Sequence, residues 1–346
     1  MRRPNRALTG AAALLTAGAL LGACAIEVPE PADPPEQTET LPVLDGPRLD
    51  RVLADLGEVI AAADEAGDAE VLEPRMDDPA LSVRAAEYAL AAETADAENP
   101  YTPQPLTVAS DVEIVALTDT WPRTVMVITE IPDEANGPLL LTLRQASPRS
   151  QYVMHSWVRL LPAVEMPATA IPGEGSAPVA DDAEGHLYSP EGAMSAYAEV
   201  LSDSGADAAE NFADDVFRTL VGERQDAATE AAEFEEAGEF EHSTSVPDQE
   251  ISTLATADGG FIVVGALTTR ETYTKTVEGS ELTVGGTIGM LDSDGGEIAD
   301  VGTSIHADYQ LMVSLYVPPE GEDAQVRVLG AEEVLSEVTR SEAEDE

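Results

Sequence analysis

The chain has 346 residues, 17 basic and 67 acidic side chains, a net charge of −50 at pH 7 and a single cysteine. So strong an acidity opposes charge-driven binding to nucleic acid or to anionic lipid surfaces. A lone cysteine excludes an internal disulfide and a thiolate metal cluster.

The N-terminus reads as a leader. Arg2, Arg3 and Arg6 precede an uncharged apolar run from Ala7 to Leu21. That run has secretory length and is too short to cross a hydrocarbon core of roughly 30 Å as a helix. Pro4 and Asn5 follow Arg2-Arg3 where a twin-arginine signal takes a bulky apolar residue, which favours the general secretory route. Leu21-Gly22-Ala23-Cys24 closes the run in lipobox fashion. Small residues admit the peptidase, and the Cys24 thiol takes a diacylglyceryl group with palmitate-type chains. Two acyl chains anchor stably, since each buried methylene contributes about 0.8 kcal/mol. The alternative is an ordinary signal peptide with a chance cysteine; the absence of a competing cysteine favours the lipobox. The expectation is a signal peptide over 1–23 and a protein held on the extracellular face of the cell membrane through acylated Cys24. Acylation consumes the only thiol, so cysteine catalysis and redox chemistry are excluded from the mature part.

Residues 24–47 form a tether. Ala25 to Pro47 holds six prolines and six acids with few apolar residues, a composition that stays extended, about 3.1 Å per residue. Residues 48–162 read as a first α+β unit. Leu49, Val52, Leu53, Leu56, Ile60 and Ala63 fall at helical spacing, and Gly67 stops the helix. A second helix starts at Asp78-Pro79, with Leu81, Ala85, Tyr88 and Ala92 as its stripe. From Pro105 the period becomes two. Strands are expected over Leu106–Ile114, Thr124–Ile131, Leu139–Leu143 and Gln151–Leu161, with Asn136-Gly137 as a hairpin signal.

Residues 163–188 are proline- and glycine-rich and read as a linker, long enough to cover an edge or a pocket. Residues 189–340 form a second α+β unit. Ser189-Pro190 opens a helix bearing Met194, Tyr197 and Leu201. A helix with Phe212, Val216, Phe217 and Leu220 follows, then an acidic helix over Arg224–Phe240. Strands are expected at Val246–Thr256, Phe261–Val277, Leu282–Leu291, Thr303–Val317 and Gln325–Leu329. Turns fall at Asp258-Gly259-Gly260 and Asp294-Gly295-Gly296; Val334–Arg340 fits a strand or a helix, and 341–346 is an acidic tail. The fold class is α+β: two units, each with N-terminal helices packed on a curved antiparallel sheet. That element order resembles the nuclear-transport-factor-2-like or cystatin-like cone.

Lys275 is the only lysine among the basic residues, and arginine-rich, alanine-rich composition is the mark of a high-GC genome. Three passages resemble an uncharacterised family of actinobacterial lipoproteins. They are Trp121-Pro122-Arg123-Thr124-Val125, the stretches Leu143 to Arg149 and Trp157 to Pro162, and Ser189-Pro190-Glu191 with Phe212 to Arg218. The resemblance covers nearly all of the mature chain. It implies a two-part extracytoplasmic lipoprotein and carries over no catalytic residue.

Chemistry is sparse. Arg123, Arg144, Arg149 and Arg159 cluster in the first meander with Trp121, Tyr152, His155 and Trp157. Arginine forks bind carboxylates or phosphates and aromatic faces stack, so Arg123, Arg144, Arg149, Arg159 and Trp157 are a candidate anion- or partner-binding face. The competing reading pairs these arginines with acids of the same molecule. His155, His186, His242 and His306 lie on different elements without metal-ligand spacing. Asp292, Asp294, Glu297 and Asp300 surround a glycine pair but depart from a calcium loop. No G-x-S-x-G or S-x-x-K is present, and no cofactor or metal site is expected. The expected function is a non-enzymatic binding or assembly module of the cell envelope, its partner an envelope protein or cell-wall component and not a nucleic acid. The alternatives are a carrier of a small apolar or anionic ligand in a cone cavity, and an envelope hydrolase.

Overall fold

Two helices open the structured part. α1 (Gly46–Ala66) is capped by Asp45, whose carboxylate accepts from the Arg48 N–H at 3.0 Å, and ends at Gly67 in the left-handed region. Its buried face is Leu49, Leu53, Leu56, Ile60 and Ala63, as the spacing requires. α2 (Ala80–Glu93) follows. The computed structural model describes residues 39–133, 135–230, 237–277, 284–292, 304–321 and 324–341. The leader, the Leu21–Cys24 lipobox, the tether through residue 38, Asp294, Glu297, Asp300 and the tail from 342 lie outside the described residues.

β1 (Ser110–Val115), β2 (Arg123–Thr129), β3 (Leu139–Gln145) and β4 (Val153–Leu160) form the expected antiparallel meander. Asn136-Gly137 does not make a two-residue hairpin. Ile128 pairs with Leu140, so the pair sits inside a longer connection. α3 (Pro190–Ser202) begins at Ser189, whose hydroxyl accepts from the Gly192 N–H at 3.1 Å. α4 (Val216–Glu230) then leads to β5 (Gly238–Ser245), β6 (Ser252–Ala255), β7 (Phe261–Lys275), α5 (Gly286–Asp292), β8 (Ser304–Val317) and β9 (Arg327–Ser341).

Two expectations change here, and one open choice is decided. The acidic helix over Arg224–Phe240 is only the end of α4, and Phe240 belongs to β5. There Glu239 and Glu241 are exposed while Phe240 packs on Tyr273 at 5.1 Å between ring centroids. The period-two pattern was hidden by its charge. The strand expected over Leu282–Leu291 contains α5 from Gly286 onward, and Val334–Arg340 is strand, continuous with β9.

The larger difference is topological. The strands form one open antiparallel sheet in the order β1-β2-β3-β4-β9-β8-β7-β5, with β6 on β7. The expected pair of separate sheets is joined at β4–β9, where Arg159 pairs with Ala331 and Leu160 with Gly330. The described residues from Thr40 onward belong to one compact unit. Alternate residues of the central strands feed opposite faces. Ile262, Val264 and Met312 join the core built with α1 and α2, whereas Phe261, Val263, Leu311 and Val313 join the core built with α3. This explains why Phe261–Leu267 and Leu311–Val317 are near-continuous apolar runs, since a strand covered on both faces has no solvated side. Two cones, each with one covered face, would need alternation there. A third cluster gathers Tyr273, Ile305 and Leu335 around Ile288 of α5.

Residues 163–188 act as a strap. Ser176 donates to the Val115 carbonyl and accepts from the Leu117 N–H, both at 2.8 Å, at the edge beyond β2. One residue later the Ala177 carbonyl accepts from Ala255 in β6, and Thr253 Oγ1 donates to the Val179 carbonyl at 2.7 Å. Edge groups that would face solvent or another chain are thereby paired. Among the described residues no helix is long and apolar enough to cross a membrane.

The β4–β9 seam leaves no room for a side chain at Gly330: a Cβ there would lie 2.7 Å from the Arg159 carbonyl oxygen and 2.8 Å from Val158 Cγ2. Gly330→Ala should therefore lower the unfolding free energy by about 1–3 kcal/mol. Gly222, mid-α4 with nothing within 4 Å of such a Cβ, is the control. Gly222→Ala should raise it by about 0.8 kcal/mol. Urea melts of the three proteins check both signs.

Candidate functional site

The polar half of the sheet and the start of α2 enclose a groove of about 500 Å³. Its floor comes from Ala266 and Thr268 of β7, Gln310 of β8 and Ser336 of β9. Pro79, Ser82 and Val83 at the start of α2 make one wall; Ser243, Ser245, Pro247 and Gln249, at and after the end of β5, make the other. The register explains the assembly. Ser245 lies opposite Thr268, Ser243 opposite Arg270, and Arg270 opposite Asp308, so their side chains share one face. Arg270 donates from Nε and Nη2 to the two Asp308 oxygens at 2.6 and 2.7 Å, a bidentate pair at the groove's end.

A four-residue bridge pins the two walls. Asp77, just before α2, lies 3.0 Å from Nδ1 of His155 in β4. Nε2 of His155 is 3.3 Å from Nη1 of Arg144 in β3, and Arg144 Nη2 donates to Glu250, which follows the Pro247–Gln249 wall. Nε2 is also 3.2 Å from the Glu250 carbonyl. Asp77 accepts from Nδ1, and Nε2 stands within hydrogen-bond distance of both the Arg144 guanidinium and the Glu250 carbonyl. Side-chain exposure is 8% for Arg144 and 75% for Glu250. The cationic member is thus fixed inside, and its carboxylate partner faces solvent.

The predicted arginine face does not assemble as one surface. Only Arg144 reaches the bridge. Arg159 donates to the Gly137 and Pro105 carbonyls at 3.1 and 3.4 Å and ties down loops. Arg123 stacks over the Trp121 ring at 4.1 Å. Arg149 is exposed in the turn after β3, and Trp157 is fully buried in the core. The histidines stay apart from one another: His186 packs edge-on against Phe261 at 4.8 Å, and His306 Nδ1 lies 3.1 Å from Thr272 Oγ1. Among the described residues no group of three His, Cys, Asp or Glu is placed to hold a metal ion.

Two buried charge clusters were invisible in a chain so rich in acids. On α2, Arg84 donates from Nη1 to Glu87 at 2.7 Å and to the Gln104 carbonyl at 2.8 Å, and it pairs with Asp64. Glu87 also accepts from Tyr101 at 3.2 Å and from the Gln104 N–H at 2.9 Å. Glu332 of β9, also buried, has its carboxyl pushed up to about 7, first by burial and then by Glu87, against Arg159 and Arg84. On the other face Glu271 is fully buried with Arg224 Nε at 2.8 Å, His242 Nδ1 at 3.8 Å and the Tyr273 hydroxyl donating at 2.9 Å. Burial alone would raise its pKa; the His242, Arg224 and Tyr273 partners outweigh that and hold it low. The one available sequence signal was phase: Glu271 falls in the inward register of Leu267 and Tyr273.

A family model described as Domain of unknown function (DUF8094) matches residues 41–339. No curated protein and no solved structure matches the chain.

Glu332 gives a pH prediction. Its folded pKa of about 7 stands above the ordinary 4.5, so between those values the native state holds more protons than the unfolded chain. Stability on this account is full below pH 4.5 and falls as pH rises through 7. Glu332→Gln should match wild type near pH 4.5 and exceed it by on the order of 3 kcal/mol at pH 8. Denaturant melts across that range test it, and equal curves at both ends would contradict it.

Proposed function

The chain belongs to the DUF8094 family, and we propose that it is a membrane-anchored, extracytoplasmic lipoprotein that acts as a non-enzymatic binding module of the cell envelope. The groove between α2 and β5 carries this reading. It is open to solvent, preformed and lined by groups that recognise rather than react. The carboxyl most displaced in acidity, Glu332, does not line it, and neither does the Glu271 cluster. Asp77, His155, Arg144 and Glu250 hold the two walls at a fixed spacing. That preorganisation lowers the ordering cost of binding.

The Leu21-Gly22-Ala23-Cys24 motif supports the anchor, and the extended segment after it supports a body held off the bilayer. Two experiments test the parts separately. Expressed with its leader, the wild type should enter the detergent phase on Triton X-114 partition, and Cys24→Ser should move it to the aqueous phase; a wild type found in the aqueous phase contradicts the anchor. Ser243→Trp fills the groove from an exposed position on β5. It should abolish retention of the purified protein on isolated cell envelopes, and retention equal to wild type removes the groove from the function.

A further inference from the structure

We propose that the groove binds an uncharged, hydroxyl- and amide-bearing glycan of the cell envelope; this rests on the binding-module reading above and names its ligand class. The observation behind it is which polar groups are already engaged and which are not. The exposed Glu337 carboxylate also lines the groove, but the cations there are engaged: Arg270 gives two donors to Asp308, and Arg144 is held by Glu250. The neutral groups are not. The side chains of Ser243, Ser245, Thr268, Gln249 and Gln310 line the groove and make no hydrogen bond to any described residue. Ser82 and Ser336, by contrast, donate to the Pro79 and Asp308 carbonyls at 3.1 and 2.9 Å.

Hydroxyls and carboxamides each donate and accept. A lining made of them fits a ligand whose own groups do both, which is the chemistry of sugar hydroxyls and acetamido groups. An anionic ligand would find no uncommitted cation here; it would meet Glu337 and a chain of net charge −50. The apolar patches of Pro79, Val83 and Pro247 on the two walls offer contact to C–H faces and to an acetamido methyl. The volume of about 500 Å³ lies within the roughly 300–1,000 Å³ of small-ligand sites and suits a disaccharide.

The test is saturation-transfer NMR and calorimetry on the purified mature chain with three probes: N,N′-diacetylchitobiose, its deacetylated cationic dimer, and a glucuronate-bearing disaccharide. The acetylated neutral dimer should bind, and each charged probe should bind at least roughly tenfold more weakly. Gln310→Leu should weaken the neutral dimer by roughly tenfold, the scale of one lost neutral hydrogen bond. Thr268→Val serves as the second variant, and thermal melts confirm that both are folded. Binding of a charged probe in preference, binding of none, or unchanged binding by both variants overturns the ligand class. The two levels of the account fail separately. If Ser243→Trp loses envelope retention while the neutral dimer does not bind, the module stands and its ligand is of another class. If Ser243→Trp retains the envelope fully, the groove reading itself is gone.

Discussion

Everything in the fold passes through a narrow seam. β4 and β9 meet over two residue pairs, Arg159↔Ala331 and Leu160↔Gly330, and those pairs turn a four-stranded meander and a second group of strands into one sheet. The close approach is possible because Gly330 carries no side chain where the Arg159 carbonyl and Val158 lie. Once the sheet is shared, its central strands are covered on both sides, by α1 and α2 on one and α3 on the other. The groove follows from the same geometry. α2 packs over β9, β4 and β8 and stops short of β5, so the polar half of the sheet beyond its first turn stays open.

The sequence displayed the elements better than their assembly. α1 was legible because it obeys one period over many residues, and β7 and β8 because each is a long apolar run. The start of α2 was legible from Asp78-Pro79, but its buried apolar face is Ala80, Val83, Ala86, Tyr88 and Leu90, and Ala92 of the expected stripe is exposed. The seam was not legible, since two backbone pairs leave no pattern in side chains. The long apolar runs of β7 and β8 did carry the needed signal: strands without a polar side must be covered twice. β5 was missed for the opposite reason, because Glu239 and Glu241 on its exposed face imitate an acidic helix. Of the candidate binding residues, Arg144 came to lie beside the groove, whereas Arg159 and Trp157 are occupied by loops and core. No spacing could have selected Ser243, Thr268 and Gln310, which lie far apart in the chain and meet only through strand register.

Acids far outnumber arginines here, and the arginines that reach the core are each set against carboxylates. Arg84 pairs with Glu87 and Asp64, Arg224 holds Glu271 and Glu333 and lies over the Tyr309 ring, and Arg144 joins His155 and Glu250. A buried acid without such a partner would be expelled or protonated. Glu332 shows the second outcome, with Arg84 and Arg159 too far committed elsewhere to keep its carboxyl in the ordinary range. Because the arginines are committed to acids of the same molecule, the groove offers no free cation, and that is the link between the electrostatics of the core and the ligand proposed for the surface.

The shared sheet is the claim on which the groove, its pinned walls and the paired helical layers all rest. Hydrogen–deuterium exchange of the purified protein in sub-denaturing urea tests it most directly. The account predicts that amides of β3 and β4 lose protection at the same urea concentration as those of β7, β8 and β9. Loss from β3 and β4 at distinctly lower urea, with β7 to β9 still protected, would show two independent sheets and contradict it.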